Sequence, residues 1–328
     1  MSKLSYSWII LVILQVNSVF GQEKPIAFRF IDQASMTKLA GLGSVNLTST
    51  SDPLFFSQNP SSMDSSSLGK GSFHYMSFPG KVNWGSSAYQ WKPRHGGQLA
   101  LGMQFVSYGQ FDGFDEFGVA TGDFSAQEFA LQAGYSRKQG VFTYGLTAKF
   151  LASILDSYQA FALAFDFGLT YQHPSEDFRL GLVLRNLGFP ISTYLEGQKL
   201  SLAQDIRFGA SFKPKYMPIR FHWTVRNLRS QEEYISREIQ SFGSKAFEKM
   251  VWGVEVLPSP NFSLLIGYNQ LIRREFESST GSGAAGFSGG FSFRMKSFEF
   301  SYARAFYQIA GSSNLFGVTT SFNKKRSF

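Results

Sequence analysis

The charged residues with the most chemical promise in this chain are Glu128, Lys149, Asp166, Arg185, Arg220, Arg226, Glu255, Arg294 and Glu299. Each stands in a stretch where large apolar side chains alternate with small or polar ones, and each falls on the small, polar phase. Carboxylates and cations gathered on one surface can do acid–base work, hold a metal, line a charged pore or pair with one another. The histidines His74, His95, His173 and His222 lie on separate segments, without the His-x-x-x-His or paired-carboxylate spacing that holds a metal. Gly281-Ser282-Gly283 lacks the strand before it and the helix after it that a phosphate-cradling loop needs, and no Gly-x-Ser-x-Gly elbow occurs. Both signs of charge are mixed, whereas a selective pore carries rings of one sign. The reading is therefore a mutually paired structural network that fills an interior. No catalytic residue, cofactor, metal site or enzyme activity is expected.

The elements that would position these residues are strands. Phe161 to Tyr171 reads Phe-Ala-Leu-Ala-Phe-Asp-Phe-Gly-Leu-Thr-Tyr, with large apolar side chains at odd positions and small or polar ones, Asp166 included, at even positions. A strand sends successive side chains to opposite faces, so one face is greasy and the other polar. Taken alone, this suits a soluble sandwich or a lipid-facing barrel strand, for which roughly nine to eleven residues suffice. Similar segments recur near 70–78, 82–92, 97–109, 123–137, 141–155, 158–172, 178–187, 204–213, 219–228, 250–257, 262–271, 284–294, 297–306 and 314–322. The connections after even-numbered segments are short, while those after odd-numbered ones include Gln110–Gly122, Gly188–Ala203, Arg229–Lys249, Ile272–Gly283 and Tyr307–Ser313, those near Pro79 and Asp156 being brief exceptions. Loop length that alternates by end marks an outer-membrane barrel, tight at the periplasmic face and long outside. The predicted fold is all-β, a transmembrane antiparallel barrel of about fourteen strands, an even number as such barrels have.

Composition agrees. Of 328 residues, 17% are aromatic and 16% charged, which is the opposite of a disordered chain. There is no cysteine, so neither a disulfide scaffold nor a thiolate metal site is possible. The net charge of +8 is scattered, with no basic helix and no long lysine-arginine run, which argues against nucleic acid. Lys3 followed by the apolar run Trp8–Val16 and by Val19-Phe20-Gly21 reads as a signal peptide over residues 1–21. Beyond it, no apolar run approaches the eighteen or so residues of a transmembrane helix.

Residues 22–68 read as a hatch or plug ahead of the barrel at 69–328. Ala34 to Leu42 has helical spacing, Gly41 and Gly43 are stop signals, and Leu54-Phe55-Phe56 needs cover. Ser-rich 61–67 reads as a polar linker, and no strand pair is expected in this region. Arg229–Lys249 alone among the loops has helical spacing, with Ile235, Ile239, Phe242 and Phe247 as a candidate partner-docking stripe. Lys324-Lys325-Arg326 forms a basic tail suited to lipid headgroups at the periplasmic side.

The collinear order of short motifs resembles a known family. Phe28-Arg29-Phe30, Leu39-Ala40-Gly41-Leu42-Gly43, Gln58-Asn59-Pro60, Tyr108-Gly109-Gln110-Phe111-Asp112, Gly134-Tyr135-Ser136, Arg185-Asn186-Leu187-Gly188, Gly253-Val254-Glu255, Gly267-Tyr268-Asn269, Ala285-Gly286-Phe287-Ser288 and Tyr302-Ala303-Arg304-Ala305 are similar to the PorQ family of the Bacteroidota type IX secretion system. The resemblance implies a FadL-like barrel of fourteen strands in the outer membrane, with the N-terminal segment as its hatch. It also implies membership of a surface attachment complex with PorU, PorV and a PorZ-like surface protein, which such a barrel would anchor while secreted cargo is attached to the cell surface. It implies no catalytic residues. The alternative reading is a FadL-like passive transporter of hydrophobic compounds.

Overall fold

The computed structural model describes residues 25–49, 51–94, 96–228, 247–275, 283–308 and 311–322. The stretch expected as a signal peptide, His95, Gly281-Ser282, the basic tail, and Ile235, Ile239 and Phe242 of the candidate docking stripe lie outside them.

A two-residue strand β1 (Ile26–Ala27) precedes β2 (Lys70–Ser77), β3 (Asn83–Trp91), β4 (Gln98–Phe114), β5 (Ala120–Gln139), β6 (Phe142–Leu155), β7 (Tyr158–Gln172) and β8 (Asp177–Ser192). The short β9 (Ser201–Leu202) is followed by β10 (Asp205–Lys213), β11 (Ile219–Val225), β12 (Met250–Ser259), β13 (Phe262–Asn269), β14 (Phe287–Met295), β15 (Phe298–Gln308) and β16 (Gly311–Ser321). All except β1 and β9 form one closed antiparallel barrel of fourteen strands in chain order, β16 closing on β2. Closure leaves no open edge in the barrel wall, as a strand-built membrane protein requires.

The period-two pattern determines which face is which. In β7, Ala160, Ala162, Ala164, Asp166, Gly168 and Thr170 are buried, while the interleaved aromatic and leucine side chains point outward. The same phase puts Phe73, Leu101, Leu131, Leu146, Ile266, Phe291 and Phe316 on the outside. This outer band of exposed phenylalanine and leucine would be untenable in water and is at home in lipid.

The connections at one end are all tight: 92–97, 140–141, 173–176, 214–218, 260–261 and 296–297. At the other, outer end three long connections leave the barrel after Ser192, Val225 and Asn269, beside the short turns at 78–82 and 156–157. Two expected long loops are not loops. Residues 110–122 are mostly the continuation of β4 and β5, which run to 17 and 20 residues and turn at 115–119, and β15 and β16 likewise pair out to Gln308 and Gly311. Gly109 sits at one bulge and Asp115 at the tip, while Asp112 and Asp123 pair directly, so the pairing shifts register without ending.

Residues 25–69 thread the bore from end to end. Strand β1 pairs in parallel with β9 in an outer connection, a strand pair that the sequence does not announce, and the segment then leads into β2 at the periplasmic end. Between lie 3-10 turns at Arg29–Asp32, Pro53–Ser57, Pro60–Ser62 and Ser65–Ser67, and a helix at Thr37–Gly41 that stops where Gly43 takes φ +91°. Asp52 and Asn59 cap the turns that Pro53 and Pro60 begin, accepting from the Leu54 and Ser61 amides. Leu54, Phe55 and Phe56 are wholly buried. The stretch 61–67, expected as a polar linker, is partly packed against the wall: Ser61, Ser62 and Ser67 are buried, while Ser65 and Ser66 are exposed. The wall yields in turn. A Cβ on Gly134 would stand 2.5 Å from Phe56 Cδ2, and one on Gly145 would stand 2.5 Å from the Pro60 carbonyl oxygen.

Phe165 faces lipid beside the fully buried Asp166. Phe165→Arg is expected to lower the barrel's unfolding free energy by about 2–4 kcal/mol, the depth-dependent cost of a lipid-facing arginine near the midplane. Urea titration in lipid vesicles measures this, and an unchanged midpoint would reverse the assignment of faces.

Candidate functional site: the occupied lumen

The ionic part of the lumen begins where β7 meets β8. Here the ladder shifts register, so Arg185 and Asn186 both point inward opposite Asp166. Asn186 adopts φ +56°, a conformation asparagine tolerates, and its amide donates to Asp166 Oδ1 at 2.8 Å. Lys149 on β6 reaches Asp166 Oδ2 at 2.6 Å and Asn186 Oδ1 at 3.1 Å. The arrangement recurs one hairpin on. Asn227 also has φ +56°, and its amide donates to Asp205 Oδ1 at 2.7 Å. Arg207 Nε pairs with the same Asp205. Two Arg-Asn-Leu tripeptides, 185–187 and 226–228, mark these two clasps in the sequence.

The inner segment completes this layer. Asp32 Oδ1 accepts from Arg185 Nη1 and Arg207 Nη2, each at 3.2 Å, while Arg185 Nη2 also donates to the carbonyls of Ile31 and Ser57. The guanidinium groups of Arg185 and Arg207 offset the cost of burying the Asp32 carboxylate. Arg226 is a further cation within electrostatic reach of Asp32 and Asp205.

A second clasp straddles the seam of the barrel. Asp52 accepts from Ser72 Oγ at 2.9 Å and from Thr319 Oγ1 at 3.3 Å, and Ser72 and Thr319 are register partners on β2 and β16. His74 Nε2 meets Asp52 Oδ2 at 2.9 Å, and its Nδ1 meets Thr37 Oγ1 at 3.1 Å. A third clasp lies near the periplasmic mouth, where Lys38 of the segment pairs with Glu255 at 2.6 Å. Glu255 also pairs with Arg220 at 3.2 Å, and Arg220 bonds Asp177 at 2.6 Å. A cavity of about 410 Å³ opens there, lined by Lys38, Arg220, Glu255, Arg294 and Glu299 among others.

The structure therefore divides the residues singled out from sequence. Lys149, Asp166, Arg185 and Arg226 gather around Asp32, while Arg220 and Glu255 form the lower clasp. Arg294 and Glu299 pair with each other at 2.6 Å at the half-exposed periplasmic rim, away from the filled interior. Glu128 stands apart, accepting from Tyr108 Oη at 2.5 Å, with no cation within ion-pair distance among the described residues. His222 lies 3.7 Å from Glu255, and His173 accepts amide hydrogen bonds in the 173–176 turn. Phe247, the described member of the docking stripe, is exposed. Sequence reading passed over Asp32, Asp52, Asp205 and Arg207. The repeated Arg-Asn-Leu would have pointed to Asp205, but nothing local marks Asp32 or Asp52.

Elsewhere the inner wall alternates small apolar residues with polar ones, among them Gln90, Gln104, Glu128 and Gln132. On the arc from β3 to β7 the wall shows Ala88, Ala100, Ala130, Ala160, Ala162 and Ala164 inward, filled by Phe28, Phe30, Phe55, Phe56 and Leu54 of the segment.

A closed fourteen-strand barrel with a lipid-facing apolar band, tight turns at one end and long connections at the other is an outer-membrane β-barrel that crosses the bilayer many times. The toluene transporter TodX of Pseudomonas putida superposes with a TM-score of 0.51 at 10% identity, over 91% of this chain and 98% of that one. A deltaS2S3 mutant of TodX, described as a monoaromatic hydrocarbon channel, gives 0.56 at 11% identity over 88% and 99%. The shared feature is the fold. No family model and no curated protein matches the sequence.

Asp32→Ala would leave Arg185 and Arg207 buried with less opposing charge. Removing one partner from a buried ion network costs about 3–5 kcal/mol, so a clear drop in the thermal and urea midpoints of the purified barrel is expected. For Asp52→Asn a smaller loss, about 1–3 kcal/mol, is expected because some hydrogen bonding persists. The check is heat-modifiable migration on gels: equal stability of both variants with the parent would deny the segment its structural role.

Proposed function

We propose that this barrel is a FadL-like passive route for small hydrophobic compounds across the outer membrane, gated by its inner segment. The observation that carries this reading is the cluster of inward alanines on β3, β4, β5 and β7, an apolar patch of the bore packed against the segment's own phenylalanines. Withdrawal of Phe28, Phe30, Phe55 and Phe56 would expose a surface suited to an apolar or aromatic solute rather than to an ion. The similar barrel TodX, described as a toluene transporter, supports the solute class.

The chain's lack of cysteine permits a clean test. Ser61 Oγ and Thr170 Oγ1 lie 2.7 Å apart, so Ser61→Cys with Thr170→Cys offers a disulfide between segment and wall. Oxidised, this variant is expected to lose uptake of labelled toluene in cells lacking other routes, and reductant is expected to restore it. Uptake equal to that of cells without the barrel, or unaffected by the lock, would sink the gated-route reading.

A second reading is favoured by a different observation. The segment is clasped at Asp32, Asp52 and Lys38, which suits a sealed barrel serving as an anchor, and the long connections all lie at the outer end. Together with the motif resemblance to the PorQ family, this supports an anchor for a PorZ-like surface protein beside PorU and PorV in type IX secretion. Under that reading the locked variant keeps its partner at the surface, and deletion of residues 230–248 releases it. Retention after that deletion, with the other long connections equally dispensable, would count against anchoring.

A further inference from the structure

The β4–β5 hairpin outgrows the barrel. Pairing of β3 with β4 ends at Asn83 and Ser107, and pairing of β5 with β6 ends at Ala126 and Leu155. Beyond these points Gln110–Phe114 pairs only with Ala120–Ser125, so a two-stranded ribbon stands outside the barrel with both edges open. Such a ribbon alone in water is marginal, and open edges are templates for further pairing.

Its side chains are as unusual as its edges. Phe111 and Phe124 stack with ring centroids 5.3 Å apart, and Phe114, Phe117 and Val119 are exposed, Phe117 to 81%. The tip is nonetheless built: Asp115 Oδ1 accepts from the Phe117 amide at 2.9 Å and the Val119 amide at 2.8 Å. The ribbon carries Asp112, Asp115, Glu116 and Asp123, and no lysine or arginine occurs between Arg94 and Arg137, in a chain of net charge +8. Asp112 and Asp123 are direct cross-strand partners. Like charges facing each other across a ladder are destabilising, which a cationic neighbour would reverse.

We propose that this ribbon is a docking surface for a protein at the cell surface that presents lysine or arginine around an apolar pocket. Aromatic anchors fill the pocket, the carboxylates meet the cations, and an open edge is available for an added strand. An anionic lipid surface would be repelled by four carboxylates, and a second copy would set acidic ribbon against acidic ribbon. The proposal goes beyond the transport reading and stands whether or not solute passes.

The test is photo-crosslinking in living cells with the full-length protein, the reactive residue placed at Phe117 or Phe114, and at Tyr216 in a periplasmic turn as control. The expected result is one protein adduct from the two ribbon positions and none of that mass from Tyr216. Its cross-linked peptide should contain lysine or arginine. The adduct should fall to background in Asp112→Asn/Asp123→Asn and in high salt, while heat-modifiable migration shows the barrel folded. No adduct, an adduct with lipid or a second copy, or a protein adduct indifferent to both neutralisation and salt would overturn it. Loss of toluene uptake in the locked variant bears only on the transport reading, so the two can fail separately.

Discussion

The Asp32 carboxylate, shared between Arg185 and Arg207, is the interaction on which the rest of this molecule depends. The wall at that level offers Lys149, Arg185, Arg207 and Arg226 against Asp166 and Asp205, an excess of cations in a place water scarcely reaches. Buried charge without an opposite costs more than most single contacts can return. The missing carboxylate arrives on the inner segment. Wall and segment are therefore each incomplete, and the barrel is best understood as a sheet wrapped around a required ligand that happens to be its own N-terminus.

That dependence is expressed in shape as well as charge. Outside, alternate residues are phenylalanine and leucine for the hydrocarbon; inside, the same strands carry glycine, alanine and serine so that the segment fits. The two sets of requirements do not compete, because a strand keeps them on opposite faces. The bulge at Arg185-Asn186 is the local exception. It gives up one regular pair so that two polar residues face inward side by side, and both are used.

How much of this the sequence disclosed follows from the range of the interactions. The fourteen barrel strands are visible because a period of two recurs within each strand, as in Phe161–Tyr171, and needs no knowledge of the partner. Asp166 and Lys149 are visible as inward charges for the same reason. Asp32 and Asp52 are not, since their partners lie far along the chain and their own surroundings are irregular turns. The hairpin tip was misread because glycine and aspartate punctuate loops and bulges alike, and only pairing tells them apart. Ser61, Ser62 and Ser67 are buried within a stretch that reads as a polar linker, because small polar residues suit both a linker and a tight fit to the wall.

Asp52 has a further consequence. Its oxygens take hydrogen bonds from Ser72 at the start of the sheet and from Thr319 at its end, residues made early and late in synthesis. The two strands could in principle slide past each other in two-residue steps and still present the same faces to lipid and lumen. Such a slip would carry Thr319 about 7 Å from its acceptor, given the rise per residue of a strand. Asp52 thus ties the register of closure to its own position, joining Ser72 and Thr319 across the seam only in this alignment.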